Sequence, residues 1–252
     1  MLRTTKGLLL FACLAIALSP VILTAQTPDT FDDPTPLAES GLTRAEVLQA
    51  FARLAYGTNP DKDAPGRLTR WEQGEVAVHW KGTLGSNGSR AERPWYAEIH
   101  AVIDELDDVD GVPPLLSHFD SDSADIEVYL LASAEIDARL ANAPEEQRAW
   151  LMQDCGIDAA ADAPLIFIKY DLSLNEVRAC IVSMMTKSLG FIDTEDVAEL
   201  PGSNLDMTPS YPYLTNLDKV LVRVLYDSRY APSMPRQEGM DAAARIVADI
   251  VP

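Results

Sequence analysis

The 252-residue chain is acidic, with 39 aspartates and glutamates against 20 lysines and arginines, and carries a formal charge of −19. A chain of that charge repels phosphate backbones and anionic headgroups, which excludes nucleic acid and anionic lipid surfaces as partners.

Arg3 and Lys6 precede an apolar run from Gly7 to Ile22, and small residues lead to Gln26. This pattern predicts a secretory signal peptide over residues 1–25 and a periplasmic or extracellular protein. The run approaches the length of a membrane span, so a retained anchor is the alternative reading. No other membrane association is expected. Loss of Arg3 and Lys6 takes the formal charge from −19 to −21. About 225 residues remain, enough for one domain with a sizeable core. Cys13 leaves with the signal. Cys155 and Cys180 are then the two mature cysteines, and an oxidising compartment predicts that they form a disulfide.

Residues 26–40, "QTPDTFDDPTPLAES", are rich in Pro, Asp and Thr and read as a disordered linker to a domain over 41–252. Thr43 and Glu46 have capping-box spacing, and Val47, Leu48, Phe51 and Leu54 follow at helical intervals up to Gly57. In "EVAVHWKG", Val76, Val78 and Trp80 alternate with Ala77, His79 and Lys81, which predicts a half-buried strand with His79 on its polar face. A Gly/Ser loop leads to Pro94 and a helix striped by Trp95, Ile99, Val102 and Leu106. "DIEVYLL" is a second strand, and Ser133 caps a short helix after it. Pro144 opens another helix through Met152. "PLIFIKY" has the continuous apolar character of a central strand. Ser173 and Glu176 cap a helix that ends at Gly190, and Thr215 and Asp218 cap the next. The last helix places Met240, Ala243, Ala244 and Val247 on one stripe. Helices and strands mix without strict alternation, which makes the class α+β.

The helix "CIVSMMTKSLGFID" has the frame of a zinc-peptidase helix. Such a helix needs two imidazoles one turn apart, a Glu beside the first, and a third ligand beyond a glycine. Here those positions are Ser183, Met184, Lys187, Gly190 and Asp193. Met184 cannot accept a proton, and a protonated lysine cannot bind zinc. His79 on a strand, His100 on a helix and His118 in the loop "LLSHFDSD" do not substitute for the missing ligands. No metal and no cofactor is therefore expected.

The stretches "FARLAYGTN…RLTRWEQGEVAVHW", "RACIVSMMTKSLGFID" and "LTNLDKVLVRVLYDSRYAPSM" resemble segments of an uncharacterised family of exported bacterial proteins, the domain of unknown function 2927. Its core is similar to that of zincins. The resemblance runs from about Phe51 to the C-terminus. It implies a zincin-like fold, with a small mixed sheet packed on helices and a helical C-terminus. Where the family carries Glu-Glu this chain has Ser183-Met184, and where it carries Gln this chain has Lys187. The active-site helix is thus degenerate even by the family's pattern.

Two other acidic stretches, "DELDDVDG" and "HFDSDSAD", do not match the ligand spacing of an EF-hand and read as solvated loops. Asp218, Asp227 and Arg229 read as a capping and ion-pair cluster. The expected function is binding of a protein, peptide or envelope component, without catalysis, in a cleft beside Ser183, Met184, Lys187 and Asp193. Lys187 would there hold a ligand carboxylate. The alternative is a peptidase-like hydrolase in which Lys187 assists Ser183 one helical turn away.

Overall fold

The segments read as strands around Val78, Val128 and Phe167 are strands of one five-stranded sheet in the computed structural model. It describes residues 37–57, 65–72, 74–82, 93–118, 124–141, 154–158, 163–191, 200–206 and 210–252. These residues belong to one unit, Phe31–Pro252. The signal segment, the helix expected from Pro144 to Met152 and Asp193 lie outside the described residues.

In chain order the elements are a 3-10 turn (Leu37–Glu39), α1 (Arg44–Tyr56), β1 (Val76–Gly82), α2 (Arg93–Asp107), β2 (Leu115–His118) and β3 (Ile126–Leu131). There follow α3 (Ser133–Leu140), β4 (Cys155–Asp158), β5 (Leu165–Lys169), α4 (Leu174–Ser188), α5 (Asn216–Tyr226) and α6 (Arg236–Ile250). Leu37, near the end of the segment assigned to the linker, packs against the core. The sheet order is β2-β1-β3-β5-β4, with β4 antiparallel to β5 and the other pairings parallel. A mixed sheet packed with helices and a helical C-terminus is the α+β arrangement expected.

β1 lies inside this sheet between β2 and β3; Ala77 and Lys81 keep the part-exposed face expected, but His79 on that face is buried, which corrects its placement among exposed polar residues. Parallel strands are covered on both faces. Val76, Val78 and Trp80 are buried on one face, and His79 is buried on the other at 6 % exposure. The first face joins Ile126, Val128, Ile166 and Ile168 to the apolar stripe of α2, Ile99, Val102 and Leu106, and to Val177, Ile181 and Met184 of α4. On the second face Leu131, Phe167 and Ile136 of α3 form a separate small cluster.

All three capping boxes are present with both halves made, at Thr43/Glu46, Ser173/Glu176 and Thr215/Asp218. The last helix differs from its predicted stripe: Gly239, Ala242, Ala243, Ile246 and Val247 are buried, whereas Ala244 is exposed. Packing on Tyr56 of α1 decides this phase, because a Cβ at position 239 would stand 1.8 Å from the Tyr56 hydroxyl. Cys155 and Cys180 are disulfide-bonded, with Cα atoms 5.8 Å apart, so edge strand β4 is fastened to α4. Closing a loop of separation 25 stabilises by about 3.5 kcal/mol in the chain-entropy account.

Residues 65–72 run across the C-terminal helices. The Thr69 amide donates to the Gly190 carbonyl, Arg70 Nη1 to that of Tyr230, and Trp71 Nε1 to that of Ser188. The end of α4 is thereby set against α5 by main-chain and side-chain bonds together.

Candidate functional site

Every residue of α4 from Val177 to Ser188 is buried. A helix hydrophobic on one stripe leaves its polar face to water. Here the polar face is covered as well, by the loop Leu200–Asp206. The Ser183 hydroxyl, with no exposed surface, donates to the Asn204 carbonyl at 2.5 Å. Lys187 Nζ donates to the Asp206 carbonyl at 2.8 Å. Met184 is buried in the main hydrophobic core. The helix closes at Leu189, and Gly190 stands one residue beyond the cap with φ of +132°. Expecting the cap at Gly190 therefore places it one residue too far; glycine is needed there because a Cβ would meet the Thr69 carbonyl oxygen at 2.0 Å.

The covering loop is itself fixed by α5. Fully buried Asp218 accepts from the Ser203 hydroxyl, from the Asn204 amide at 3.1 Å, from Asn204 Nδ2 at 3.2 Å and from the Thr215 amide at 3.1 Å. Burial pushes the Asp218 carboxyl above the usual carboxylate range, opposed by these hydrogen bonds. Asn204 Nδ2 also donates to the Tyr213 carbonyl, so one asparagine ties the loop to the approach of α5. Asp227 and Arg229 form the expected ion pair, extended to Asp249, but Asp218 serves the buried loop.

Five residues before Ser183, Arg178 is fully buried. Its guanidinium meets Glu98 at 2.7 Å, Glu105, and the Pro212 carbonyl at 2.5 Å. Glu105 also accepts from the Leu214 amide. Sequence reasoning missed this residue, although its two partners lie seven apart on one face of α2, a spacing of two helical turns.

The second polar constellation lies on the sheet. Parallel register places His118 of β2 beside His79 of β1, and His79 beside Glu127 of β3. His118 is the last residue of a strand, which corrects its placement in a loop. Lys81 Nζ stands 2.5 Å from Glu127, and the Tyr129 hydroxyl donates to the other carboxylate oxygen at 2.9 Å. Burial pushes the Glu127 carboxyl up, but the bonds from Lys81 and Tyr129 outweigh it and hold it below the ordinary value. Nδ1 of His79 is buried without a hydrogen-bond partner. Two acidic residues of the supposed solvated stretches hold backbone amides: Asp107 accepts from the Leu115 amide and Asp125 from that of Ala77.

Among the described residues no three His, Cys, Asp or Glu side chains are grouped to hold a metal ion, and no helix is long and apolar enough to cross a membrane. An open groove of about 330 Å³ lies between α1 and the start of the covering loop, lined by Leu42, Glu46, Gln49, Arg53, Leu200 and Pro201 among others.

Compared with known families, residues 44–244 match the model described as "Protein of unknown function (DUF2927)". No curated protein matches the chain.

Proposed function

We propose a binding role for this chain, which belongs to the DUF2927 family: it is an exported domain of zincin-like fold that engages a protein, peptide or envelope component and performs no catalysis. One observation carries this reading. The helix positions that a zinc peptidase uses for chemistry are spent on holding a loop, with Ser183 and Lys187 each donating to a backbone carbonyl of residues 204 and 206. A serine nucleophile needs a base to take its proton and room for a carbonyl carbon to approach. Ser183 has a main-chain carbonyl as partner and no exposed surface. Lys187, one turn away, points its ammonium at a different carbonyl. The hydrolase reading requires both bonds to break and the loop to lift off.

Export is supported by the basic and apolar N-terminal segment and by the Cys155–Cys180 disulfide, a bond that persists in oxidising compartments. The formal charge of −19 supports a partner other than nucleic acid or an anionic membrane. With Ser183 and Lys187 beneath the loop and Met184 in the core, the ligand would meet the loop's outer margin, where Leu200 and Pro201 line the groove beside α1. Pockets of about 300 Å³ and upward suit a few side chains of a peptide.

A photocrosslinking amino acid at exposed Gln49, on the groove, tests this in the native host, with the same residue at exposed Arg245 of α6 as control. The expected result is a discrete adduct from position 49 that position 245 does not give. Identical adducts, or none, at both positions would remove the groove as the binding face.

A further inference from the structure

The row His118–His79–Glu127 crosses three adjacent parallel strands on one face of the sheet, and the proposed binding role uses none of it. Neighbouring strands run about 4.8 Å apart. Imidazoles in direct register across that spacing reach a common ion when each metal–nitrogen bond is about 2.0–2.1 Å. His79 is 6 % exposed, and its Nδ1 is buried with no hydrogen-bond partner. A buried polar nitrogen left unpaired is costly, and such atoms are rare in folded proteins. The opposite neighbour of His79 is Glu127, whose carboxylate accepts from Lys81 Nζ and from the Tyr129 hydroxyl. Register thus sets a negative charge next to the imidazole, where it favours a bound cation.

We propose that His79 and His118 form a binding site for a divalent transition-metal ion of the zinc type, with Glu127 as the neighbouring negative charge. The site has two protein donors: among the described residues no three His, Cys, Asp or Glu side chains are placed to hold a metal ion together, so Glu127 is not counted as a ligand. Water, or a donor brought by a bound partner, completes the coordination. Such a site is exchangeable, unlike a closed structural zinc site, whose four protein ligands contribute directly to folding. It is separate from the α4 frame in which metal ligands are missing, and it stands or falls independently of the binding role of the groove.

The test is isothermal titration of the untagged, metal-stripped full chain with ZnCl₂ at pH 7.5 and pH 5.5, for the wild type and for His118→Ala. His118 is exposed on an edge strand, so its replacement leaves the fold in place, which circular dichroism verifies. The expected result is one ion per chain, bound at least about tenfold more weakly by the variant. Binding at pH 5.5 falls as well, because only neutral imidazole ligates. Absence of saturable binding by the wild type overturns the proposal. So does equal affinity in His118→Ala, or binding unchanged at pH 5.5, since that result assigns the ion to surface carboxylates of this acidic chain.

Discussion

Replacement of Arg178 by alanine is expected to remove about 3–5 kcal/mol of folding stability, the range for a buried ion cluster that loses one partner. The guanidinium is fully buried and joins α4 to Glu98 and Glu105 of α2 and to the main chain at Pro212. Alanine would leave two carboxylates, only 16 % and 12 % exposed, without the guanidinium they share. Most of the cost is that uncompensated burial, since an intact buried pair contributes little over an apolar replacement of the same shape. The triple variant Arg178→Met, Glu98→Gln, Glu105→Gln is accordingly expected to recover more than half of the loss. Urea denaturation measures both variants, with an unchanged slope showing that the midpoint reports stability. A loss below about 1 kcal/mol in Arg178→Ala would show that the cluster does not hold α4 to α2.

Gly190→Ala is the second large effect, with an expected loss above about 3 kcal/mol or failure to fold. Its φ of +132° is a conformation that residues with a side chain rarely adopt, and a Cβ would lie 2.0 Å from the Thr69 carbonyl oxygen and 3.1 Å from Leu225 Cδ2. Neither side yields easily. The Thr69 amide donates to the Gly190 carbonyl, and Leu225 is fully buried in α5. Gly202 separates the two contributions, because its φ of +82° is also positive but nothing stands within 4 Å of its Cβ position. Gly202→Ala is expected to cost about 1 kcal/mol, the backbone contribution alone. Equal losses at the two positions would mean that the contact with Thr69 gives way freely.

Local features of the fold were legible where the deciding physics was local. The capping boxes at Thr43, Ser173 and Thr215 require only a side chain and its third neighbour, and all three form. The strands around Val78, Val128 and Phe167 announce themselves by alternation or by continuous apolar character. β2, "LLSH", and β4, "CGID", escape notice because four residues carry too little pattern, and β4 includes a glycine. Both are edge strands that owe their existence to the neighbour they pair with. Missing β2 also concealed the adjacency of His79 and His118.

The candidate site was legible as a set of positions and not as an environment. Ser183, Met184 and Lys187 lie on the helix anticipated, but the loop that covers Ser183 and Lys187 carries no periodic signal. Asp218, some 15 residues along the chain, fixes that loop by several hydrogen bonds to Ser203 and Asn204. Arg178 is a similar case, since a charged residue beside Cys180 reads as surface until Glu98 and Glu105 are brought to it across α2.

The central claim, that α4 serves as scaffold and not as a catalytic face, is tested most directly by labelling the folded chain with a fluorophosphonate probe and mapping adducts by tandem mass spectrometry. The account predicts no modification of Ser183, whose hydroxyl is buried against the Asn204 carbonyl. Stoichiometric labelling of Ser183 that disappears in Lys187→Met would contradict it and establish a Ser–Lys hydrolase.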